Sequence, residues 1–393
     1  MSRAATDLDC QKKTTKFNTN VVTGTTASGY HKSHPNYFQE GWSASVTIGQ
    51  FHQTYLLSTG SLMKKSFISG VGHHLPDRVV TNQELEKLLE IDDASIVKLS
   101  GIHTRRWAEK GDTVSGMAVE ASRMALGRAG LTPADIGMIV FSSMGSDHQF
   151  PGGGGDLQRK LDMPGIPALD IRNACNGFVY GLSIADQYIR TGMFKHILLA
   201  GSEIQSTSLD LTPNGKNVSI LFGDGAGAAV ISQCSDNSRG ILNTQMYSDG
   251  QHYRKLIMEA PSPNDHPRIS DEMVASDRIY PYMDGRAVFK HAVTRFPEVI
   301  LEAVENEDMD ISDLDLIIPH QANLRISEMV AKKLKIDRKM VYSNIQHYGN
   351  TTSASIPIAM SEAVEKGMLN EGDLVCAAAF GAGFAWSSAL IRW

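Results

Sequence analysis

The sequence predicts a layered α/β fold built from two similar halves. In residues 63–235, short apolar runs typical of buried strands alternate with helical stretches, an order found in layered α/β proteins. Residues 236–393 repeat part of this order, which indicates a duplicated unit whose two copies pack together. The strand-like runs are residues 136–143, 167–172, 196–200 and 226–232 in the first half, and 314–319, 373–378 and 387–392 in the second.

The composition excludes several classes of protein. Of the 393 residues, 42% are hydrophobic and 20% are charged, and the formal net charge is −6. At about 150 residues per domain, this length predicts two to three domains of ordinary globular composition. A net negative surface offers no overall attraction to nucleic acid or anionic lipid. No apolar run approaches the roughly 18 residues of a membrane-spanning helix. We therefore expect no nucleic-acid partner and no membrane association.

The four cysteines favour a reducing compartment. Cys10, Cys175, Cys234 and Cys376 lie far apart and form no Cys-x-x-Cys pair. This spacing suits neither a disulfide framework nor a zinc site. We expect a cytoplasmic protein without a bound metal ion or cofactor, in which one cysteine is available as a nucleophile.

The first 62 residues differ in composition from the rest of the chain. They are rich in Ser, Thr, Gly and Asn and have no sustained helical or strand period, so the sequence predicts a disordered extension there. Lysines among hydroxyl residues leave a transit peptide open, although acidic residues weaken that interpretation. Met63 resembles a natural start that leads into a strand ending near Gly72.

Cys175 stands where a predicted strand passes into a predicted helix. The preceding residues are apolar, and Phe178, Leu182 and Ile189 form a helical stripe after it. The free N–H groups and the positive dipole end of a helix favour a thiolate, so this position predicts a lowered thiol pKa. A nucleophile and a buried structural cysteine both fit the position.

Two further side chains lie at the ends of elements in the second half. His320 follows an apolar strand, and Asn350 belongs to a Gly-Asn turn that runs into a helix. Such positions are held by a scaffold and often carry function. Taken singly, a core histidine and a helix-capping asparagine explain them equally well.

The three motifs together resemble one enzyme family. Cys175 in Ala-Cys-Asn-Gly-Phe, His320 in Pro-His-Gln-Ala-Asn-Leu-Arg-Ile and Asn350 in Gly-Asn-Thr-Thr-Ser-Ala-Ser resemble the Cys-His-Asn set of the β-ketoacyl-acyl-carrier-protein synthase III family of condensing enzymes. The resemblance extends over residues 67–393. It implies a thiolase-like five-layered αβαβα fold with a cysteine-bearing half, 63–235, and a half with His and Asn, 236–393. It also implies a homodimer.

The resemblance implies an acyltransferase reaction in two steps. Cys175 would take an acyl group from an acyl-coenzyme A or acyl-carrier thioester, and a decarboxylative Claisen condensation with malonyl-acyl-carrier protein would follow, as at the start of fatty acid synthesis. The N–H groups of Cys175 and Ala382 match the oxyanion hole of the family. His320 and Asn350 would donate hydrogen bonds to the enolate oxygen.

Basic residues match positions that the family uses for its carriers. Arg325, Lys332 and Lys333, on a helix predicted over residues 324–335, match the docking positions for an acidic carrier protein, although a solvated helix face is the usual meaning of such charges. The positions that the family uses for coenzyme A are matched less completely. Ser95, Leu99 and Lys216 stand where the family commonly holds the adenine with Trp and Arg, which weakens the case for tight binding and for an acetyl primer. Arg286 and Lys290 remain candidates for phosphate contacts.

Phe150 matches the residue that closes the acyl pocket of the partner subunit. The four glycines at 152–155 depart from the family pattern. Two interpretations stay open: the glycines widen the pocket for a primer of roughly four to ten carbons, or they serve a tight turn. The glycines at 223, 225 and 227 do not match Gly-x-Gly-x-x-Gly, so we expect a structural turn rather than a dinucleotide site.

Other functions remain open at this stage. One is a condensing enzyme that uses a longer or secondary-metabolite acyl group. Another is an acyltransferase to a hydroxyl or amine, in which Asn350 would have no enolate to bind. A third is a non-catalytic subunit that binds acyl carriers, which the intact set of Cys175, His320 and Asn350 disfavours. A papain-like hydrolase also uses Cys, His and Asn, but its local motifs are absent.

Overall fold

The computed structural model describes residues 64–236 and 238–393. The expected N-terminal extension, residues 1–62, lies outside the described residues. Within the described ranges, no helix combines the length and the apolar character needed to cross a bilayer.

The strands occur at all seven predicted positions and at several others. The strands of the described residues are β1 (Lys65–His74), β2 (Val79–Thr81), β3 (Thr104–Arg106), β4 (Met138–Ser142), β5 (Ala168–Ile171), β6 (His196–Glu203), β7 (Gly225–Cys234), β8 (Gly240–Ser248), β9 (Leu256–Ile257), β10 (Tyr282–Met283), β11 (Leu316–Pro319), β12 (Leu374–Gly381) and β13 (Ala385–Arg392). The sequence analysis missed β8 and the short pairs β2–β3 and β9–β10.

The helices begin and end at recognisable signals. The α-helices of the described residues are α1 (Asn82–Leu89), α2 (Asp93–Ser100), α3 (Val114–Ala129), α4 (Gly153–Lys160), α5 (Gly177–Arg190), α6 (Lys216–Ser219), α7 (Asp271–Val274), α8 (Gly285–Glu305), α9 (Leu324–Leu334), α10 (Ile345–Tyr348) and α11 (Ser355–Glu365). In α9, Asn323 caps the N-terminus by accepting from the Arg325 N–H, and Lys335 ends the helix in the left-handed conformation.

Two sheets share one connection pattern. The first sheet has the order β1-β7-β6-β4-β5, and the second has the order β8-β13-β12-β11. In each sheet, a parallel pair is followed by two antiparallel pairs: β4–β6, β6–β7 and β7–β1 in the first, and β11–β12, β12–β13 and β13–β8 in the second. Strand β5 adds a fifth, parallel strand at one edge of the first sheet.

Five layers result from where the helices bury their apolar faces. Phe178 of α5 and Met360 of α11 belong to one core that also contains residues of both sheets, so these two helices lie between the sheets. Helices α3 and α4 cover the outer face of the first sheet, and α8 and α9 cover the outer face of the second. The αβαβα architecture confirms the predicted fold class.

The glycine-rich segment 222–229 differs from its prediction. Residues 222–224 form the connection into β7, and Gly225 and Gly227 belong to β7 itself. A Cβ on Gly227 would stand 2.7 Å from Pro357 Cγ and 2.8 Å from the Ile358 nitrogen. Helix α11 therefore packs against β7 more closely than any side chain at Gly227 would allow.

Candidate active site

Cys175 lies in a single 3₁₀ turn, residues 174–176, directly before α5. The preceding Ala174 has a φ of 45°, which is unusual for a residue with a side chain. Gly381, the last residue of β12, faces the cysteine so closely that a Cβ there would lie 2.6 Å from Cys175 Cβ and 2.9 Å from its sulfur. A glycine is therefore required where β12 meets the nucleophile candidate.

Backbone N–H groups converge on the cysteine sulfur. The N–H groups of Cys175 and Ala382 both act as hydrogen-bond donors toward the thiolate form and favour it. These are the two groups expected to form an oxyanion hole. Donors held in this way suit an oxygen that becomes negative during acyl transfer at the same sulfur.

The expected lowering of the thiol pKa is wrong. Cys175 is only 6% exposed. Burial raises the pKa of its thiol to about 12, and the charge of nearby Glu203, when ionised, acts in the same direction. The helix start acts on the thiol locally, whereas the burial of Cys175 and the facing carboxyl come from the tertiary fold and outweigh it. The resting cysteine is a neutral thiol.

His320 follows β11 and is buried. Its N–H donates to the Ala378 carbonyl at 2.7 Å, and its Nδ1 lies 2.6 Å from Ser355 Oγ at the start of α11. Burial lowers the pKa of the imidazole to about 3, so the ring is neutral at physiological pH. Its Nε2 is buried and has no hydrogen-bond partner among the described residues. An unpartnered buried nitrogen of this kind suits a substrate atom.

Asn350 is fixed by backbone pairing with the first half of the chain. Its N–H donates to the Leu221 carbonyl at 2.8 Å, and its own carbonyl accepts from the Gly223 N–H at 3.1 Å. The side-chain oxygen accepts from the Thr352 N–H at 2.9 Å. Because the oxygen is occupied, the amide nitrogen is left as the group that donates outward.

The segment 351–355 connects the three side chains. Ser355 holds His320, Asn350 precedes the segment, and Ser353 lies against the start of α5, where a Cβ on Gly177 would stand 3.5 Å from Ser353 Cβ. The 3₁₀ turns 174–176 and 352–354 are in contact. The structure therefore brings the elements carrying Cys175, His320 and Asn350 together from both halves.

Sequence analysis missed Glu203, the last residue of β6. It is completely buried; its Oε1 lies 2.6 Å from Ser353 Oγ, and its carboxyl accepts from Gln205 Nε2 at 3.0 Å and from the Met144 N–H at 3.1 Å. An acidic residue that ends a buried apolar strand was the available signal, because a buried carboxyl needs specific partners.

The basic residues lie on two neighbouring helices. The Arg325 guanidinium stands 5.6 Å from the ring centre of Phe289, which lies between Arg286 and Lys290 along α8. Asn323 Nδ2 donates to the Leu99 carbonyl at 2.9 Å, which ties the start of α9 to the end of α2. Candidate carrier-docking and coenzyme A residues are thereby brought next to each other.

Lys216 lies near the starts of the same two helices, α8 and α9. It lies in α6, whose Val218 packs on an apolar cluster that Met283 and Leu324 also contact. Met283 is two residues before α8, and Leu324 begins α9. Lys332 and Lys333 are exposed in the last turn of α9, where they also complement the helix dipole.

The glycines at 152–155 lie at the start of a helix: Gly152 precedes α4, and the other three form its first turn. Phe150 itself is 85% exposed. A Cβ on Gly152 would stand 2.3 Å from the Asp170 carboxyl carbon, and one on Gly153 would stand 2.4 Å from the Phe141 ring. The Gly154 N–H donates to Asp170 at 3.0 Å. Gly152, Gly153 and Gly154 thus let α4 begin against β4 and β5, whereas a Cβ on Gly155 would meet no atom within 4 Å.

Among the described residues, no group of three or more His, Cys, Asp and Glu side chains is arranged to hold a metal ion. The described cysteines Cys175, Cys234 and Cys376 are all free thiols.

The five layers, with a cysteine before one middle helix and an asparagine before the other, define a thiolase-like condensing enzyme. Family models described as 3-oxoacyl-[acyl-carrier-protein] synthase III and its C-terminal part match residues 169–250 and 304–393. A Salmonella typhi β-ketoacyl-[acyl-carrier-protein] synthase III is 41% identical over 325 residues, which cover 83% of this chain and 98% of the relative. The chain belongs to the β-ketoacyl-acyl-carrier-protein synthase III family and is an acyltransferase of that kind.

Solved structures agree with this assignment. The 3-oxoacyl-[acyl-carrier-protein] synthase III of Aquifex aeolicus VF5 is 37% identical with a TM-score of 0.76, and the match covers 84% of this chain and all of that one. The priming β-ketosynthase of the R1128 polyketide biosynthetic pathway is 31% identical with a TM-score of 0.77, covering 85% of this chain and 98% of that one. Similar structures thus include a 3-oxoacyl-[acyl-carrier-protein] synthase III and a priming ketosynthase of a polyketide pathway.

Proposed function

We propose that the chain joins an acyl primer to malonyl-acyl-carrier protein at the start of fatty acid synthesis, through a thioester on Cys175. The assignment is supported by a buried thiol with two backbone N–H donors, and by the contact between its turn and the turn 352–354, which Asn350 precedes and Ser355, the partner of His320, follows. The proposed units 63–235 and 236–393 each supply one sheet, and the site forms where they meet.

In the first step, the Cys175 sulfur attacks the carbonyl carbon of the primer thioester. The carbonyl oxygen becomes negative and accepts hydrogen bonds from the N–H groups of Cys175 and Ala382. The bond to the carrier sulfur then breaks, and the proton lost by Cys175 ends on the departing thiol. Because the pKa of the Cys175 thiol is raised to about 12, attack and proton loss must be concerted or closely coupled.

In the second step, the malonyl group loses carbon dioxide and its thioester becomes an enolate. The neutral His320 ring and the Asn350 amide donate to the enolate oxygen, each donor contributing about 3–4 kcal/mol in a site without water. A hydrogen on Nε2 requires Nδ1 to accept, and Ser355 Oγ at 2.6 Å is placed to donate to it. The enolate carbon attacks the acyl carbonyl, and Cys175 leaves as a thiolate that regains a proton.

The basic residues on α6, α8 and α9 support binding of phosphate-bearing carriers. We assign carrier-protein docking to Arg325, Lys332 and Lys333, and phosphate contacts of coenzyme A to Lys216, Arg286 and Lys290. Lys216, Arg286 and Arg325 lie close in sequence to Val218, Met283 and Leu324, which contact one apolar cluster. Neighbouring positive charges attract an acidic carrier and its pantetheine phosphate, which supports this assignment.

The exposed edge of the first sheet supports a homodimer. Strand β5 is the last strand of that sheet, and residues 168–170 are exposed along it. An open edge of this kind is available for pairing with a second copy. Phe150, 85% exposed close to that edge, would then reach the acyl pocket of the partner. We place the enzyme in the cytoplasm, where the free thiols of the described residues are stable.

A second candidate is priming of a secondary-metabolite pathway with a longer acyl group. The similarity to a priming ketosynthase of polyketide synthesis favours it, as does Leu99, 43% exposed at a position where the family commonly has an arginine. The reaction at Cys175 would be the same, and only the primer would differ.

Intact-protein mass spectrometry distinguishes the candidates. The enzyme is incubated with acetyl, butyryl, hexanoyl, octanoyl and decanoyl thioesters of coenzyme A and of carrier protein, and malonyl-acyl-carrier protein is then added. We expect one acyl group on Cys175, which disappears as a β-ketoacyl product forms. The Cys234→Ser variant should behave as wild type, because that thiol lies outside the site. Failure of every primer to load would contradict the proposal.

A further inference from the structure

Glu203 is a buried acid next to the reaction centre that neither reaction step uses. The groups that hydrogen-bond to its carboxyl within residues 64–236 and 238–393 are uncharged: Ser353, Met144, Gln205, the Thr352 hydroxyl and, at 3.4 Å, Ser143. A buried carboxylate without a cation is costly, and such groups lower the cost by binding a proton.

The hydrogen atoms around Ser353 can be counted. Ser353 Oγ lies 2.6 Å from Glu203 Oε1 and 3.1 Å from the Ser142 carbonyl oxygen. A hydroxyl has one hydrogen, and a carbonyl oxygen only accepts. Next to an ionised Glu203, Ser353 could therefore satisfy only one of its two neighbours. With a proton on Oε1, Glu203 donates to Ser353 and Ser353 donates to Ser142, so both contacts are hydrogen bonds.

The other carboxyl oxygen is consistent with this count. Glu203 Oε2 accepts from the Met144 N–H and from Gln205 Nε2, which are both donors whatever the state of the acid. We propose that Glu203 is held as a neutral carboxylic acid and acts as a positioning residue for the turn between Asn350 and Ser355.

A second buried acid shows a different pattern. Asp224 is also completely buried, and its carboxyl accepts from the N–H groups of Ala108, Gln205 and Ser206 at 2.7–3.0 Å. Three backbone donors favour the ionised form. Burial raises the pKa of both carboxyl groups, so burial does not separate them. The difference is the hydroxyl–carbonyl pair that Glu203 faces.

A neutral acid suits the chemistry, and in this respect the inference rests on the proposed function. The titratable side chain that faces Glu203 is Cys175, while the other segments that touch it contribute the neutral groups of Ser353, Met144 and Gln205. An ionised Glu203 would repel both the thiolate and the enolate. A protonated one anchors Ser353 against the start of α5 without adding a negative charge.

Infrared spectroscopy and thiol alkylation test the inference without a substrate. We expect the full-length enzyme at neutral pH to show a deuterium-sensitive carbonyl stretch of a protonated carboxylic acid. The band should be missing in Glu203→Gln and retained in Asp224→Asn. Glutamine keeps a donor to Ser353, so its melting temperature and its rate of Cys175 alkylation by iodoacetamide should match wild type, whereas Glu203→Ala should lose condensation activity.

Two results would overturn the inference. One is the absence of the band in wild type, or its persistence in Glu203→Gln. The other is alkylation about tenfold faster in Glu203→Gln, which corresponds to a thiol pKa one unit lower after removal of a negative charge. A failure of wild type to take up any acyl group would contradict the proposed function and leave both measurements standing.

Discussion

The two middle helices begin with the same backbone and perform different tasks. Helix α5 follows a 3₁₀ turn at 174–176 whose first residue, Ala174, has a φ of 45°, and helix α11 follows a 3₁₀ turn at 352–354 whose first residue, Thr352, also has a φ of 45°. Both residues carry side chains in a region that costs free energy, and such residues cluster at functional sites. The duplication has kept the local geometry in both halves.

The residues that face the two turns account for the difference. Cys175 and Ser353 occupy the middle position of their turns. The end of β12 presents Gly381 and the Ala382 N–H to Cys175, whereas the end of β6 presents the Glu203 carboxyl to Ser353. A donor facing a thiol supports a nucleophile, and an acid facing a hydroxyl supports a fixed turn. Turns with similar backbones thus acquire their chemistry from the neighbouring strand.

The largest expected effect separates these two middle positions. Cys175→Ala should abolish acyl loading, because the attacking sulfur is lost. Ser353→Ala should still load one acyl group, since its hydroxyl does not react. Single-turnover loading with radiolabelled thioester measures both. Equal loss of loading in the two variants would contradict the division of roles.

His320→Ala and Asn350→Ala should load normally and fail in condensation. Each variant removes one donor to the enolate oxygen, which should lower the condensation rate about 10²–10³-fold. Malonyl-acyl-carrier protein is added to preloaded enzyme, and release of carbon dioxide is followed. Normal condensation by Asn350→Ala would show that the enolate assignment is wrong.

Two glycine substitutions test the contacts of the Cys175 turn and of the Ser353 turn separately. A Cβ at Gly381 would press on Cys175, whereas a Cβ at Gly201 would lie 2.8 Å from the Ser353 carbonyl oxygen. Each overlap should cost about 1–3 kcal/mol. Gly381→Ala should slow loading about tenfold or more, and Gly201→Ala should affect condensation more than loading. Stopped-flow rates for the two steps measure this, and the opposite pattern would exclude the assigned contacts.

Outside the two turns, the docking charges should have a moderate effect. Replacing Lys332 and Lys333 by Glu should raise KM for malonyl-acyl-carrier protein several-fold at low salt and leave kcat almost unchanged, since the attraction is electrostatic. The exposed Lys339, just beyond α9, provides a matched control as Lys339→Glu. An equal rise of KM in the control would favour a general charge effect over a docking surface.

The smallest effect is expected in the glycine run. Nothing lies within 4 Å of a Cβ on Gly155, so Gly155→Ala should stabilise α4 by less than about 1 kcal/mol. The order of specificity constants from acetyl to decanoyl primers should remain unchanged. A shift of that order toward shorter primers would revive the pocket interpretation of the run.

Local pattern predicted most strands of the two large sheets, the two motif-bearing turns and the basic helix, because apolar period and turn residues act over a few positions. It could not predict groups that depend on distant packing. The thiol pKa depends on burial under β12, and the glycines at 152–154 depend on Asp170 and Phe141. Glu203 contacts Ser353, which lies 150 positions away in the sequence.

A pulse–chase experiment tests most directly whether the acyl group on Cys175 lies on the reaction path. Wild-type enzyme carrying a labelled acyl group on Cys175 is mixed with malonyl-acyl-carrier protein and an excess of unlabelled primer, and the reaction is quenched after one turnover. We expect the label to appear in the β-ketoacyl product. Label that stays on the enzyme or leaves as free primer, while unlabelled primer enters the product, would contradict the thioester mechanism.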